Sequence, residues 1–131
     1  MLLTILFMLG RVALAAYFID AGINHFKSTA ALAGYAQSRG VGGSAKLLTL
    51  VSGVVLVLGG AGVLLGVVPR LALLALAVFL ITAAIMIHHF WTDTDPQQKM
   101  GEKVNFTKNL ALAAALLMAL AIPLPWTWSL L

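Results

Sequence analysis

The chain has 131 residues, 62% of them hydrophobic and 9% charged, with a mean hydropathy of +1.05. A water-soluble domain is about half apolar and about a quarter charged, so this composition excludes an aqueous globular fold and requires lipid as the solvent. The net charge of +4 sits in particular loops rather than in a patch that tracks nucleic acid, and the absence of cysteine excludes disulfides, thiolate metal sites and dithiol relays.

A helix needs about 20 apolar residues to cross a hydrocarbon core of about 30 Å, and four stretches qualify, at about 2–26, 45–66, 70–91 and 106–124. The first reads as a retained helix rather than a signal peptide, because its charge, Arg11, follows the apolar run instead of preceding it. The loop over 24–45 places Ser28 as an N-cap before Thr29-Ala30-Ala31-Leu32-Ala33, which predicts a short interfacial helix closed by Gly40-Val41-Gly42-Gly43. Only Val67-Val68-Pro69-Arg70 separates the second and third helices, which makes them antiparallel neighbours. In the loop over 92–107, Asp93-Thr94-Asp95-Pro96 should turn the chain. Pro123 and Pro125 end or kink the fourth helix, and Trp91, Trp126 and Trp128 fall where an aromatic belt belongs. The expected fold is all-α: one transmembrane domain over 1–131, an up-down-up-down four-helix bundle with a short interfacial helix in the first loop.

Lys27, Arg39, Lys46, Lys99, Lys103 and Lys108 flank or occupy the two long loops, whereas Arg70 stands alone on the other side. The positive-inside rule then puts loops 24–45 and 92–107 in the cytoplasm of a bacterial inner membrane and both termini outside. Helix association in lipid relies on small residues that let backbones approach. Gly59, Gly60, Gly62 and Gly66 in the second helix, and Ala111, Ala115 and Ala119 in the fourth, supply such stripes. They are expected to build the bundle interior in preference to a homo-oligomer seam.

A charge at a helix centre costs roughly 2.5 to 3.5 kcal/mol on insertion scales, so each needs a reason. Two readings stand for Arg11: a protruding helix that leaves it among the headgroups, or a role inside the bundle, pairing with a polar group or holding a ligand. At 100° per residue Arg11, Phe18, Gly22 and His25 share one face, and Asp20, Asn24 and Lys27 the opposite one. Asp20, Asn24, His25, His88, His89, Lys108 and Asn109 lie toward the cytoplasmic ends of their helices and, with Arg11, are the candidate ligand-binding residues. Adjacent histidines do not chelate from one helix face, so no metal site is expected, and no nucleophile stands in a hydrolase motif.

Arg11, Ala21-Gly22-Ile23-Asn24-His25-Phe26, Leu65-Gly66-Val67-Val68-Pro69-Arg70, His89-Phe90-Trp91 and Asn105-Phe106-Thr107-Lys108-Asn109-Leu110, in this order and spacing, resemble the DoxX family of bacterial membrane proteins. The resemblance implies a four-helix inner-membrane protein. Some relatives are subunits of a thiosulfate:quinone oxidoreductase, and others are linked to complexes that handle oxidative stress and thiol balance. Many relatives carry Lys where His25 stands, and Glu near Val51-Ser52-Gly53, where this chain has no acid.

Three functions follow as expectations. The first is an accessory, quinone-interacting subunit of a membrane redox system. Its polar cluster would hydrogen-bond the quinone, and a soluble or membrane redox enzyme would dock on loops 24–45 and 92–107. The second is a small transporter of an anion or lipid, since Arg11 repels cations. The third is a non-catalytic membrane scaffold. In none of them does the chain catalyse a reaction alone.

Overall fold

The computed structural model describes residues 1–130. Five helices follow one another: α1 (Leu2–Lys27), α2 (Thr29–Ser38), α3 (Ala45–Leu65), α4 (Pro69–Met86) and α5 (Pro96–Ala119), with a 3-10 turn at Phe90–Thr92 before α5. No strand occurs among the described residues, so the all-α reading holds. Three helical spans, Leu2–Lys27, Ala45–Leu65 and Pro69–Thr92, are long and apolar enough to cross a membrane.

In space the long helices follow the order α1, α3, α4, α5, each packed on the next, and α2 lies against α3 and the end of α1. Glycine sets the α1–α3 register. A Cβ on Gly22 would fall 2.8 Å from the Gly53 carbonyl oxygen and 2.9 Å from the Val57 nitrogen, so the two backbones touch there. Gly60 lies against the Ala15 carbonyl and Ile19, while Gly59 and Gly62 receive Leu76 and Ala72 of α4. The glycine stripe therefore builds intramolecular contacts on two sides of α3. The alanine stripe does not match it: Ala111 and Ala115 point outward, and Ala113 and Leu116 are the buried positions of α5.

Helix ends follow local chemistry. Gly40, at φ 88°, closes α2, with Val41 N–H returning to the Ala36 carbonyl and Gly40 N–H to that of Gln37. Ser28 occupies the N-cap position of α2, but its hydroxyl turns back to Asn24. Gly66, at φ 68°, closes α3 in the same left-handed way.

Three ends differ from the sequence expectation. α4 stops at Met86 instead of 91, because the Ile87 carbonyl is taken by Arg39 and the Ala83 carbonyl accepts from both Ile87 and His88. α5 starts at Pro96 instead of 106, because Asp95 accepts from Gln98 N–H as N-cap and Pro96 fits the first turn. It stops at Ala119 instead of 124: ahead of Pro123, the N–H groups of Leu120, Ala121 and Ile122 reach back only three residues. Residues 120–130 then form a non-helical strap.

Two glycines should answer oppositely to the same substitution. Gly22→Ala forces α1 off the α3 backbone and is expected to lose about 1–3 kcal/mol, as overpacked cores do. Gly34→Ala, where a Cβ meets nothing within 4 Å, should gain about 0.5–1 kcal/mol from helix entropy. Reversible unfolding in detergent measures both, and equal effects would contradict the register.

Candidate functional site

Polar groups gather at two ends. At the loop end, where α1 and α4 finish and α5 begins, Arg39 follows α2 and is 9% exposed. Its Nε donates to the Ile87 carbonyl at 2.7 Å, and its Nη1 and Nη2 grip both oxygens of Asp93 at 2.7 and 3.2 Å. His89 joins them by donating from Nε2 to the Arg39 carbonyl at 2.9 Å. Its Nδ1 stands 3.3 Å from Arg39 Nη2, and a guanidinium only donates, so Nδ1 accepts there and the proton sits on Nε2. The hydrogen bond from Arg39 holds the Asp93 carboxyl below its ordinary value, against an opposing push from burial. One arginine thus ties the end of α2 to the α4–α5 connection.

Beside this clamp a second chain runs from α2 to α4 through α5. Tyr35 donates its hydroxyl to Glu102 Oε1, and His88 Nδ1 lies 2.6 Å from Glu102 Oε2. Glu102 is 6% exposed, and burial raises its carboxyl above the ordinary value. Tyrosine, carboxyl and imidazole thus form a continuous hydrogen-bonded chain at the loop end.

The sequence candidates do not converge. His25 turns to α3, where Nδ1 donates to the Thr49 carbonyl at 3.2 Å and lies 2.8 Å from Ser52 Oγ, with its ring edge-on to Phe79. Asp20, Asn24 and Lys108 are exposed, while Asn109 is buried on α5. His88 and His89 belong to separate networks. Sequence reasoning missed Tyr35, Arg39, Asp93 and Glu102. The signal for Glu102 lay in the Asp95-Pro96 start: from there its phase matches Asn109, Ala113 and Leu116, the buried stripe of α5.

α1 and α5 nowhere come within 8 Å between Cα atoms. Between them runs an open groove of about 420 Å³, lined by Gly10, Ala13, Leu14 and Tyr17 of α1 and by Lys108 and Leu112 of α5. The lining is apolar except at the loopward end, where Tyr17 and Lys108 stand. Glu102 lies six residues nearer the loop end than Lys108, a rise of about 9 Å along the helix.

At the strap end Arg11 is 4% exposed. Its Nε donates to the Val63 carbonyl at 2.7 Å, and its Nη1 to the Thr127 carbonyl at 2.6 Å. Trp126 covers the guanidinium, its ring centroid 5.5 Å from Cζ, and packs edge-on against Phe7. Trp126 is therefore buried within the protein, whereas Trp128 is exposed. Val63 lies in the last turn of α3, so Arg11 caps the negative end of that helix. Among the described residues no group of three or more His, Asp or Glu side chains is placed to hold a metal.

The family model that matches is DoxX, over residues 6–89. The chain belongs to the DoxX family, and it is a membrane protein with three apolar helices able to span a bilayer. No curated protein and no solved structure matches it at a significant level. The match takes in α1 to α4 and both histidines after α4, and leaves out Asp93 and Glu102.

The Arg39 clamp should show in a pH profile. A depressed folded pKa means that Asp93 adds stability above its unfolded value and loses it as pH falls through the folded one. Asp93→Asn should therefore melt below the wild type at neutral pH, with the gap closing in acid. Thermal melts in detergent check this, and a gap that widens on acidification would contradict it.

Proposed function

We propose that this DoxX-family chain is an accessory, quinone-interacting subunit of a membrane-associated redox system. It would cross the inner membrane four times, up-down-up-down, with α2 in the interface, both long loops cytoplasmic and both termini outside. The six basic residues at the long loops against Arg70 opposite support that orientation. The apolar second half of α5 supports the fourth crossing.

One observation carries the reading: the α1–α5 groove opens sideways to lipid and ends at donors. An isoprenoid tail would lie against Gly10, Ala13, Leu14 and Leu112, with the head group at the loopward end that Lys108 and Tyr17 line. A quinone there would supply two-electron, two-proton redox chemistry. The chain's own part is to hold the head group and to relay protons through Tyr35, Glu102 and His88. The chain has no cysteine, and on this reading a partner enzyme supplies the electrons. The exposed Trp91, Met100 and Val104, set among Lys99 and Lys103, offer it a docking face at the loop end.

Trp91 packs on Phe106 of α5, 5.6 Å between ring centroids; Phe106 is about 3 Å from Lys108 along the helix axis though on another face, so Trp91 reports across α5 on the turn that carries Lys108. In nanodiscs, with Trp126→Phe and Trp128→Phe leaving Trp91 as the sole indole, a short-chain quinone should quench emission saturably. Lys108→Ala should weaken the apparent affinity about tenfold, the loss expected for one charge-assisted hydrogen bond. Non-saturable quenching, or equal quenching of the Lys108→Ala variant, would remove the basis for this function.

A further inference from the structure

Three buried polar atoms lack a partner among the described residues: Arg11 Nη2, Trp126 Nε1 and Ser129 Oγ. All three sit around Arg11 at the strap end. A Cβ on Gly66 would fall 2.8 Å from Arg11 Nη2 and closer still to Ser129 Oγ, so these two atoms flank one point above that glycine. Guanidinium and indole N–H groups only donate, and a hydroxyl can donate. The set is matched by an acceptor and by nothing cationic.

Charge points the same way. Arg11 keeps its proton at any ordinary pH, yet both ion pairs of the described residues lie at the loop end, Arg39 with Asp93 and His88 with Glu102. Asp20, on the same helix, is exposed on the face away from Arg11. The Val63 and Thr127 carbonyls give partial negative charge only. A buried cation in such a setting gains most from a full negative charge with two or more oxygens, because charge-assisted, bidentate bonds to guanidinium are the strong ones.

We propose that Arg11, Trp126 and Ser129 form a binding site for an oxyanion, a phosphate group presented by a lipid headgroup or free in solution. The strap is its cover. Outside its own turns, the strap's polar ties to the helices are the Thr127 carbonyl on Arg11 and Leu130 N–H on the Leu65 carbonyl, 2.9 Å apart. As the Thr127 carbonyl turns off Arg11, Nη1 exchanges it for a charged oxygen and Nη2 gains a partner it lacks, while Trp126 and Ser129 of the strap stay beside the guanidinium as donors. Nε stays on Val63, so the anion docks without uncapping α3. This site is independent of the α1–α5 groove, and either can fail without the other.

The test uses the full chain with Trp91→Phe and Trp128→Phe, so that Trp126, against the guanidinium, reports alone. In dodecyl maltoside micelles, which carry no phosphate, titration with inorganic phosphate should shift Trp126 emission saturably if the free anion binds. If the source is a headgroup, adding phosphatidylglycerol to the micelles should produce the shift without added phosphate. In whichever arm responds, Ser129→Ala should weaken the response about tenfold, and Arg11→Lys, which keeps the charge and loses the fork, should weaken it at least as much. Ser129→Ala leaves the cap on α3 in place, so it remains informative if Arg11 variants fail to fold. No shift in either arm, or a Ser129→Ala protein that responds like the parent, would overturn the site and leave Arg11 as the cap of α3 alone.

Discussion

Where α1 and α3 touch through glycine, the rest of the molecule is placed. With Gly22 on Gly53 and Ala15 on Gly60, the antiparallel register runs on to put Arg11 beside Val63 and Gly66, at the C-terminal end of α3. It also puts His25 beside Thr49 and Ser52, near its N-terminal end. Lipid offers no hydrophobic drive between helices, so this contact rests on van der Waals packing, which needs backbones without intervening side chains. A slip of one turn along α3 would carry Arg11 past the last carbonyls of that helix and leave the guanidinium in hydrocarbon. The glycines thus decide whether a charge in α1 is an expense or a cap.

That register resolves the two readings of Arg11. α1 outruns α3 by nine residues, Leu2 to Gly10, about 14 Å at 1.5 Å per residue, so the arginine sits level with the end of its neighbour although it is ten residues into its own helix. The overhang has no helix beside it, and the strap takes that place: Trp126 packs on Phe7, and Leu130 caps Leu65. A segment that reads as an interfacial aromatic tail therefore becomes the covering of a buried charge. Sequence could not show this, because Trp126 and Trp128 are alike in type and spacing, and only the turn after Pro125 sends one inward and one outward.

What was legible follows the same logic. Apolar length found the first two expected helices and the start of the third nearly to the residue, and 100° phase separated the buried face of α1, with Arg11, Phe18 and Gly22, from Asp20, Asn24 and Lys27. Those are local properties of a long periodic helix. The start of α5 was missed because its first turns are polar, and hydropathy does not see a helix that begins in water. With that start went Glu102, and with Glu102 the Tyr35 and His88 partners, since a pairing across 67 residues leaves no mark on local pattern. Arg39 was counted for its charge in setting orientation, yet its two grips on Ile87 and Asp93 need a neighbouring helix end that only the fold supplies.

The departures from the wider DoxX pattern acquire a physical sense here. Where many relatives are expected to carry a Lys and a Glu, this chain sets His25 against Ser52, both tied to the Thr49 carbonyl. A buried ion pair is costly to desolvate and binds its two helices only while both charges remain. The His25–Ser52 contact keeps the α1–α3 link by hydrogen bonds, with an uncharged partner on α3. A separate carboxyl stands on α5: Glu102, buried, raised toward protonation and held between a phenol and an imidazole. Glu102 lies on the helix that also carries Lys108, which lines the α1–α5 groove. The fold thus sets a buried titratable carboxyl on the α5 side, while the α1–α3 seam holds the register on which both ends depend.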